Sequence, residues 1–342
     1  MSTQDGGKYV ASGTYGVVFT PPIACKLKGE LKKTKKDVGK VFLEKRGFLT
    51  EKQMMENIGI RFSKFALPIR YACEINAPTK TDIQDIPSKF KGKIVTGMDQ
   101  LVYPNGGMDL YSFSLGKANL ELPSRVSWMI KIFKHMSDLV HGIKTIVDND
   151  MIHNDIKPQN MVYNTKDKKV YLIDWGLTMQ RHDTYKILDR IKAYTYPYYP
   201  PEYKISTLFS AKNRQASVKD ILTLMDENMR IFSSRIKVEQ LFSKFDIDIV
   251  KECDMLSSYL ACQTTSTKSV NDLFNPFTNR IDVYSVGVSL VHMLAELDLL
   301  DVKNLKIHAI RQFIRELIHI DPRLRATPEE MIKLYDKLCY LL

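Results

Sequence analysis

The spacing of apolar and polar residues changes near residue 105, and the change divides the chain into two kinds of structure. In residues 8 to 27, KYVASGTYGVVFTPPIACKL, β-branched and aromatic residues alternate around Gly13 and Gly16, which predicts two strands joined by a glycine turn. Val38 to Leu43 predicts a further strand and residues 50 to 58, TEKQMMENI, a helix. Two more strands are expected near 67 to 75 and 93 to 103, before Pro104-Asn-Gly-Gly107 interrupts the pattern as a turn.

Beyond that turn the period becomes helical. Val126, Met129, Ile130, Phe133, Val140, Ile143 and Val147 recur at the spacing of one long helix with Ser124 as its candidate N-cap, and Val170 to Asp174 reads as a short buried strand. Val218, Ile221, Leu222, Met225, Met229 and Phe232 mark an amphipathic helix started by Ser217; Ile249, Val250, Leu256, Tyr259 and Leu260 mark another. Residues 282 to 297 are apolar on nearly every side, as in a buried helix. Leu305, Ala309, Phe313, Ile314 and Leu317 fit one further helix, and Thr327-Pro-Glu-Glu330 is a capping box for the last. The expected fold class is α+β: a β-rich N-terminal lobe over 1 to 104 with one helix, and a mainly helical C-terminal lobe over 105 to 342.

Composition changes this picture little. With 342 residues, 44% hydrophobic and 10% aromatic, the chain can bury a sizeable core and is not of disordered type. No apolar run reaches the roughly 20 residues that span a bilayer, and the polar start MSTQDGGKYV lacks a signal-peptide core, so a soluble, intracellular protein is expected. Five scattered cysteines without CxxC spacing predict buried free thiols, with neither a zinc site nor a disulfide framework. Of the net charge of +11, much comes from nine Lys or Arg between residues 26 and 46. That run predicts a solvated loop with one functional lysine; the aromatic interleaving of a nucleic-acid platform is absent.

The chemistry concentrates in MIHNDIKPQNMVY, residues 151 to 163, between the long helix and the short strands. Phosphoryl transfer needs a cation on the phosphates, carboxylate and amide ligands for Mg²⁺, and a carboxylate facing the attacking hydroxyl. Here Asp155 precedes Asn160 by five residues, and Asp174-Trp-Gly176 follows fourteen residues later.

In this combination the chain resembles the eukaryotic-type protein kinases. HNDIKPQN matches their catalytic loop H-R-D-x-K-x-x-N except at Asn154, and DWG matches DFG. The resemblance implies Asp155 as the base that orients the substrate hydroxyl, Asn160 and Asp174 as Mg²⁺ ligands, and Lys157 as the cation on the transferring phosphoryl group. Ala11-Ser-Gly-Thr-Tyr-Gly-Val-Val18 stands where the family has G-x-G-x-x-G-x-V; Gly13 and Gly16 keep the two later glycines and Ala11 replaces the first. Both Lys26 and Lys40 resemble the family's phosphate-holding lysine, and Lys40 is preferred because Lys26 is only ten residues past Gly16. Its acidic partner is Glu51 or Glu56, with Glu51 favoured because Met54, Met55 and Ile58 then share an apolar face. Adenine is expected between Val18 and Val38 on one side and Val162 on the other, with Leu101 to Pro104 as the hinge. Asp109 is either a ribose contact or a helix cap.

Further along, Thr195-Tyr-Pro-Tyr-Tyr-Pro-Pro-Glu202 resembles the segment ending in A-P-E, and Thr195 with Lys157 implies Ser/Thr specificity. Glu202 is expected to pair with Arg325, and Asp282 to anchor the catalytic-loop backbone. Asn154, in place of the family's phosphate-binding arginine, implies activity without activation-segment phosphorylation. Glu202 and Asp282 stand 80 positions apart, which implies a helical insertion at about 203 to 278 that packs on the peptide-docking face and replaces a missing later helix. GTYGVVFTPP, the late VGKVF strand and this insertion further resemble the protein kinases of large cytoplasmic DNA viruses. Together these imply an ATP- and Mg²⁺-dependent Ser/Thr kinase acting on protein substrates in the cytoplasm, which for a viral protein is the host cytoplasm, with packaging in the virion compatible. The alternatives are a pseudokinase that binds nucleotide as a scaffold and, less favoured, a nucleic-acid-binding protein.

Overall fold

The computed structural model describes residues 7–13, 16–26, 37–184, 196–211, 217–229, 237–262 and 274–342. The chain forms two compact units, Met1–Gly107 with Ile173–Gly176, and Met108–Leu172 with Leu177–Leu342. Most of the basic run, residues 27 to 36, lies outside the described residues, as do Thr195 and Phe232.

The first unit is built on a five-stranded antiparallel sheet in the order β1-β2-β3-β5-β4. Its strands are Lys8–Ser12 (β1), Gly16–Thr20 (β2), Asp37–Phe42 (β3), Tyr71–Glu74 (β4) and Asp99–Pro104 (β5). Val17, Phe19 and Val41 enter one core with Ile23, Ile75 and Phe90. The last two strands are shorter than expected. Pro68 supplies no ladder donor before β4, and Gly92 and Gly97 hold left-handed φ of 78° and 87° before β5. On β5 the buried Gln100 amide satisfies a neighbouring loop: Ile23 N–H donates to its Oε1 at 3.1 Å, and its Nε2 donates to Ile23 C=O at 3.0 Å. Gly39 makes the room, since a Cβ there would stand 2.2 Å from that Oε1.

Helix α1 spans Lys45–Ile58 and buries Phe48, Glu51, Met55 and Ile58, one face at helical spacing. Glu51 therefore sits on the buried stripe itself. A short second helix, Lys80–Ile83 (α2), closed by the Thr79/Asp82 capping box, departs from the single helix expected in this region. The expectation of free thiols also fails here: Cys25 and Cys73 form a disulfide, with Cα atoms 5.8 Å apart across a sequence separation of 48. An isolated bridge between Cys25 and Ile75 brings these distant segments together, which no short cysteine motif announces. Cys253, Cys262 and Cys339 are free thiols.

In the second unit, Met108–Asp109 (β6), Met161–Asn164 (β8) and Lys169–Leu172 (β9) form an antiparallel sheet in the order β6-β8-β9, and Met151–Ile152 (β7) pairs with Met179–Gln180 (β10). Helix Leu110–Leu115 (α3) follows β6. The expected long helix is two, Leu122–His135 (α4) and Ser137–Asp148 (α5), separated at Met136, where ψ of 2° leaves the helical region. Ser124 is not the cap: Pro123 is preorganised for a first turn and moves the start upstream, leaving Glu121 at the N-cap.

The remaining helices are Pro201–Ala211 (α6), Val218–Met229 (α7), Val238–Ser243 (α8), Ile249–Cys262 (α9), Ile281–Glu296 (α10), Leu305–Leu317 (α11) and Pro328–Leu341 (α12). Ser217 and Asp220 cap α7 reciprocally, and Thr327 and Glu330 do so for α12. Leu305 is exposed, because Asn304 caps α11 just before it and Ile307, Ile310, Phe313, Ile314 and Leu317 form the buried face. Met229 of α7, Leu241 and Phe242 of α8 and the following Phe245 line one small apolar cavity with Val288 and Val291 of α10 and Ile318. Only residues 297 to 304 connect α10 to α11. Among the described residues no helix is long and apolar enough to cross a membrane.

Gly39→Ala forces a methyl group into Gln100 and is expected to destabilise the chain by about 1–3 kcal/mol, read as a lower urea midpoint at unchanged m-value.

Candidate active site

A polar stripe on an otherwise apolar helix organises the candidate site. Asp282, Ser285, Ser289 and His292 recur at i, i+3, i+7 and i+10 along α10, so they share one face, and all are buried. Asp282 accepts His153 N–H at 2.7 Å and Asn154 N–H at 3.0 Å. Ser285 Oγ donates to the Tyr198 carbonyl at 2.8 Å, and Ser289 Oγ reaches the Ile156 carbonyl at 3.5 Å. His292 faces Glu296 through Nε2 at 3.2 Å, which leaves Nδ1 to accept from the Tyr198 hydroxyl. One helix face thus ties down both the loop after β7 and the segment before α6. Of these residues only Asp282 was singled out in the sequence; a repeating polar position within the apolar run was the signal for the other three.

The loop turns at Asn154, whose φ of 62° is a left-handed conformation that Asn tolerates better than most residues. Its Oδ1 accepts the Tyr203 hydroxyl at 2.9 Å. The turn leaves Asp155, 6% exposed, at the centre of a donor cluster. Lys157 Nζ lies 3.0 and 2.9 Å from its two oxygens, and Asn160 Nδ2 donates to Oδ2 at 2.7 Å and to the Asp155 carbonyl at 2.8 Å. Tyr196 OH donates to Oδ1 at 2.5 Å. Thr195, proposed from the sequence as the partner of Asp155 and Lys157, lies outside the described residues.

The first unit carries a second charged cluster. Lys40 Nζ contacts Glu51 Oε2 at 2.5 Å and Asp174 Oδ1 at 2.8 Å, and Tyr103 OH donates to Glu51 Oε1 at 2.8 Å. Burial opposes the Lys40 charge, but Glu51 and Asp174 together outweigh it and raise the pKa above its ordinary value. Glu56 instead pairs with Lys52 on the surface, and Lys26 with Glu74 between exposed side chains. Asp174 adopts φ of 63°, and the following Trp175 is buried with its ring centroid 5.6 Å from Phe62 and 6.3 Å from Phe65.

The other residues expected to bind nucleotide are placed as follows. Ala11 and Val18 are paired across β1 and β2, and Val38 pairs with Tyr103 across β3 and β5. Among the described residues a Cβ on Gly13 would meet nothing within 4 Å, whereas one on Gly16 would stand 2.5 Å from the Val41 carbonyl. Gly16 thus serves the close approach of β2 to β3. Leu101 is no hinge: it lies inside β5, fully buried with Phe42 and Phe48. Asp109 caps α3 by accepting Ser112 N–H at 2.8 Å. Val162 is buried in β8, in the second unit.

In the second unit Asn160 turns its amide nitrogen toward Asp155, which leaves its oxygen as the end for a cation; in the first unit the Asp174 carboxylate is a hard oxygen donor beside Lys40. An amide oxygen and a carboxylate are each, by themselves, the type of donor that Mg²⁺ takes.

Comparison with known proteins finds the protein kinase domain family over residues 121–224, a stretch holding Asp155, Lys157, Asn160, Asp174 and Glu202 but none of β1 to β5. The human cell division cycle 7-related protein kinase is 37% identical over 117 residues, which are 34% of this chain and 19% of that protein. The chain therefore matches about a fifth of that relative's length. The architecture is a two-lobed kinase-like fold, with a β-rich N-terminal region and a helical C-terminal region.

Burial drives the Asp282 pKa up to about 6 from 3.8, against the downward pull of the His153 and Asn154 amides. Between pH 4 and 6 the folded chain therefore holds a proton that the unfolded chain has released. This contribution favours folding fully below pH 3.8, is lost as pH rises through 6, and amounts to roughly 3 kcal/mol. Carboxyl ¹³C titration is expected to give a midpoint near 6; an ordinary midpoint near 4 would contradict it.

Proposed function

We propose that this chain, similar in its central stretch to protein kinases, transfers the γ-phosphoryl group of ATP to serine and threonine hydroxyls of protein substrates with Mg²⁺. The observation that carries the reading is Asp155: a buried carboxylate clamped by Lys157 and Asn160 on a loop whose backbone hangs from Asp282. Such a carboxylate can accept the proton of a hydroxyl as its oxygen attacks phosphorus and the bond to the leaving ADP oxygen breaks. Lys157 supplies positive charge beside it. Lys40, paired with Glu51 and Asp174, is the cation for the phosphates. By the kinase resemblance Asn160 and Asp174 would be the ligands of the Mg²⁺, which neutralises phosphate charge when bound. Val18 and Val38 of the first unit supply apolar surface for adenine, and the kinase resemblance adds Val162 of the second. The Asp109 carboxylate is committed to its helix and is not proposed as a ribose ligand.

Serine/threonine specificity rests on the pairing of Thr195 with Lys157 in the sequence. The wider combination of motifs favours a kinase of the large cytoplasmic DNA virus type, working in the host cytoplasm.

Asn154 supports constitutive activity. Its side chain serves Tyr203 and offers no guanidinium for a phosphate, while Thr178 and Thr184, two threonines of the segment after Asp174, are buried. Phosphatase-treated chain is expected to keep its full rate; loss of activity restored by phosphorylation of Thr178 or Thr184 would refute this.

Transfer from labelled ATP to a serine/threonine peptide library tests the main reading. Asp155→Asn is expected to lower the rate by about 10²–10⁴-fold and Asp174→Asn to abolish Mg²⁺-dependent transfer. Equal incorporation by native and variant chains would refute the mechanism, and nucleotide binding without transfer by the native chain would establish the scaffold alternative.

A further inference from the structure

The substrate side of Asp155 is already occupied by a group of this chain. Oδ1 accepts Tyr196 OH at 2.5 Å and Lys157 Nζ at 3.0 Å; Oδ2 accepts Lys157 Nζ at 2.9 Å and Asn160 Nδ2 at 2.7 Å. Each carboxylate oxygen offers about two lone-pair sites, so these contacts fill the usual capacity of both. A substrate hydroxyl oriented by Asp155 needs one of those places. Lys157 and Asn160 are cations and amides with work of their own in the proposed transfer. Among the described residues on Asp155, the Tyr196 phenol is the occupant chemically like the newcomer, a neutral O–H donor.

Several contacts hold the phenol there. Lys157 Nζ stands 5.4 Å from the centroid of its ring, and the rings of Tyr198 and Tyr199 lie 5.3 and 4.6 Å away. Burial, and then the Asp155 charge, raise the phenol's pKa, so it keeps its proton and remains a donor.

We propose that Tyr196 occupies the acceptor-hydroxyl subsite, and that a protein substrate binds by exchanging its own hydroxyl for the Tyr196 phenol on Asp155. The proposal deepens the phosphotransfer reading and rests on it. The exchange replaces one charge-assisted hydrogen bond with another of the same kind, so the acceptor hydroxyl adds nothing net to affinity. Binding then comes from the residues that flank the acceptor. A peptide with alanine in place of the acceptor serine leaves Tyr196 seated and binds the native chain as tightly as the serine peptide does.

Tyr196→Phe keeps the ring and its packing and removes only the O–H. It is expected to lower KM for the serine peptide about three- to ten-fold with KM for ATP unchanged, the worth of one hydrogen bond no longer displaced. In direct binding the variant should prefer the serine peptide to the alanine peptide by the same factor, while the native chain shows no preference. Unchanged peptide KM and equal preference in the two chains would overturn the proposal. So would a fall in kcat or a rise in peptide KM, which would make the phenol a working part of the site. If neither folded chain transfers phosphoryl groups, the failure lies with the phosphotransfer reading itself, and the proposal falls with it.

Discussion

The second unit depends on one buried carboxylate. Asp282 lies in a helix with almost no exposed residue, and burying its charge is costly unless the charge is well satisfied. The backbone N–H groups of His153 and Asn154 offset part of that cost, and in doing so fix the turn from which Asp155, Lys157 and Asn160 project. Ser285, Ser289 and His292 continue the same face and hold Ile156 and Tyr198. The helix is therefore both the hydrophobic centre of its unit and the ruler against which two loops are set. Protonation of Asp282 relieves the burial cost and removes an acceptor, so global stability and loop order respond to acid in opposite directions.

The residues from 202 to 325 join this scaffold through a second polar chain. Arg325 makes a bidentate pair with Glu202 at 2.7 and 3.0 Å, both side chains buried, and its Nε and second terminal nitrogen donate to the His319 carbonyl. His319 Nδ1 in turn meets Glu252 of α9 at 2.5 Å, and Ile320 N–H donates to the other Glu252 oxygen at 3.0 Å. Removing one partner from such a pair leaves an uncompensated buried charge, at a cost of about 3–5 kcal/mol. The long segment after Glu202 is thereby part of the support of α6.

Much of this was legible in the sequence. Elements with a strong period, such as the strands around Gly13 and Gly16 and the apolar run after Asp282, appear where the pattern puts them. The carboxylates and lysines were identifiable because phosphoryl transfer requires those groups at that spacing, and the structure brings Lys40, Glu51 and Asp174 into one cluster and Asp155, Lys157 and Asn160 into another. What periodicity could not show was set by tertiary context. The break at Met136 has no glycine or proline to announce it. The family resemblance put Leu101 at the start of the hinge, yet packing with Phe42 and Phe48 makes it core. The Cys25–Cys73 bond depends on two segments meeting at a sheet edge. Tyr196 was one of several tyrosines until its hydroxyl was seen on Asp155.

The central claim is that Asp282 holds the loop that carries Asp155. Amide hydrogen exchange at His153 and Asn154, compared between the native chain and Asp282→Asn, tests it most directly, because asparagine turns one amide N–H₂ toward a backbone donor where the carboxylate had an acceptor. The account predicts that both amides are strongly protected in the native chain and exchange much faster in the variant, while the amides of α4, α5 and α12 keep their protection. Equal protection of His153 and Asn154 in the two chains would contradict it.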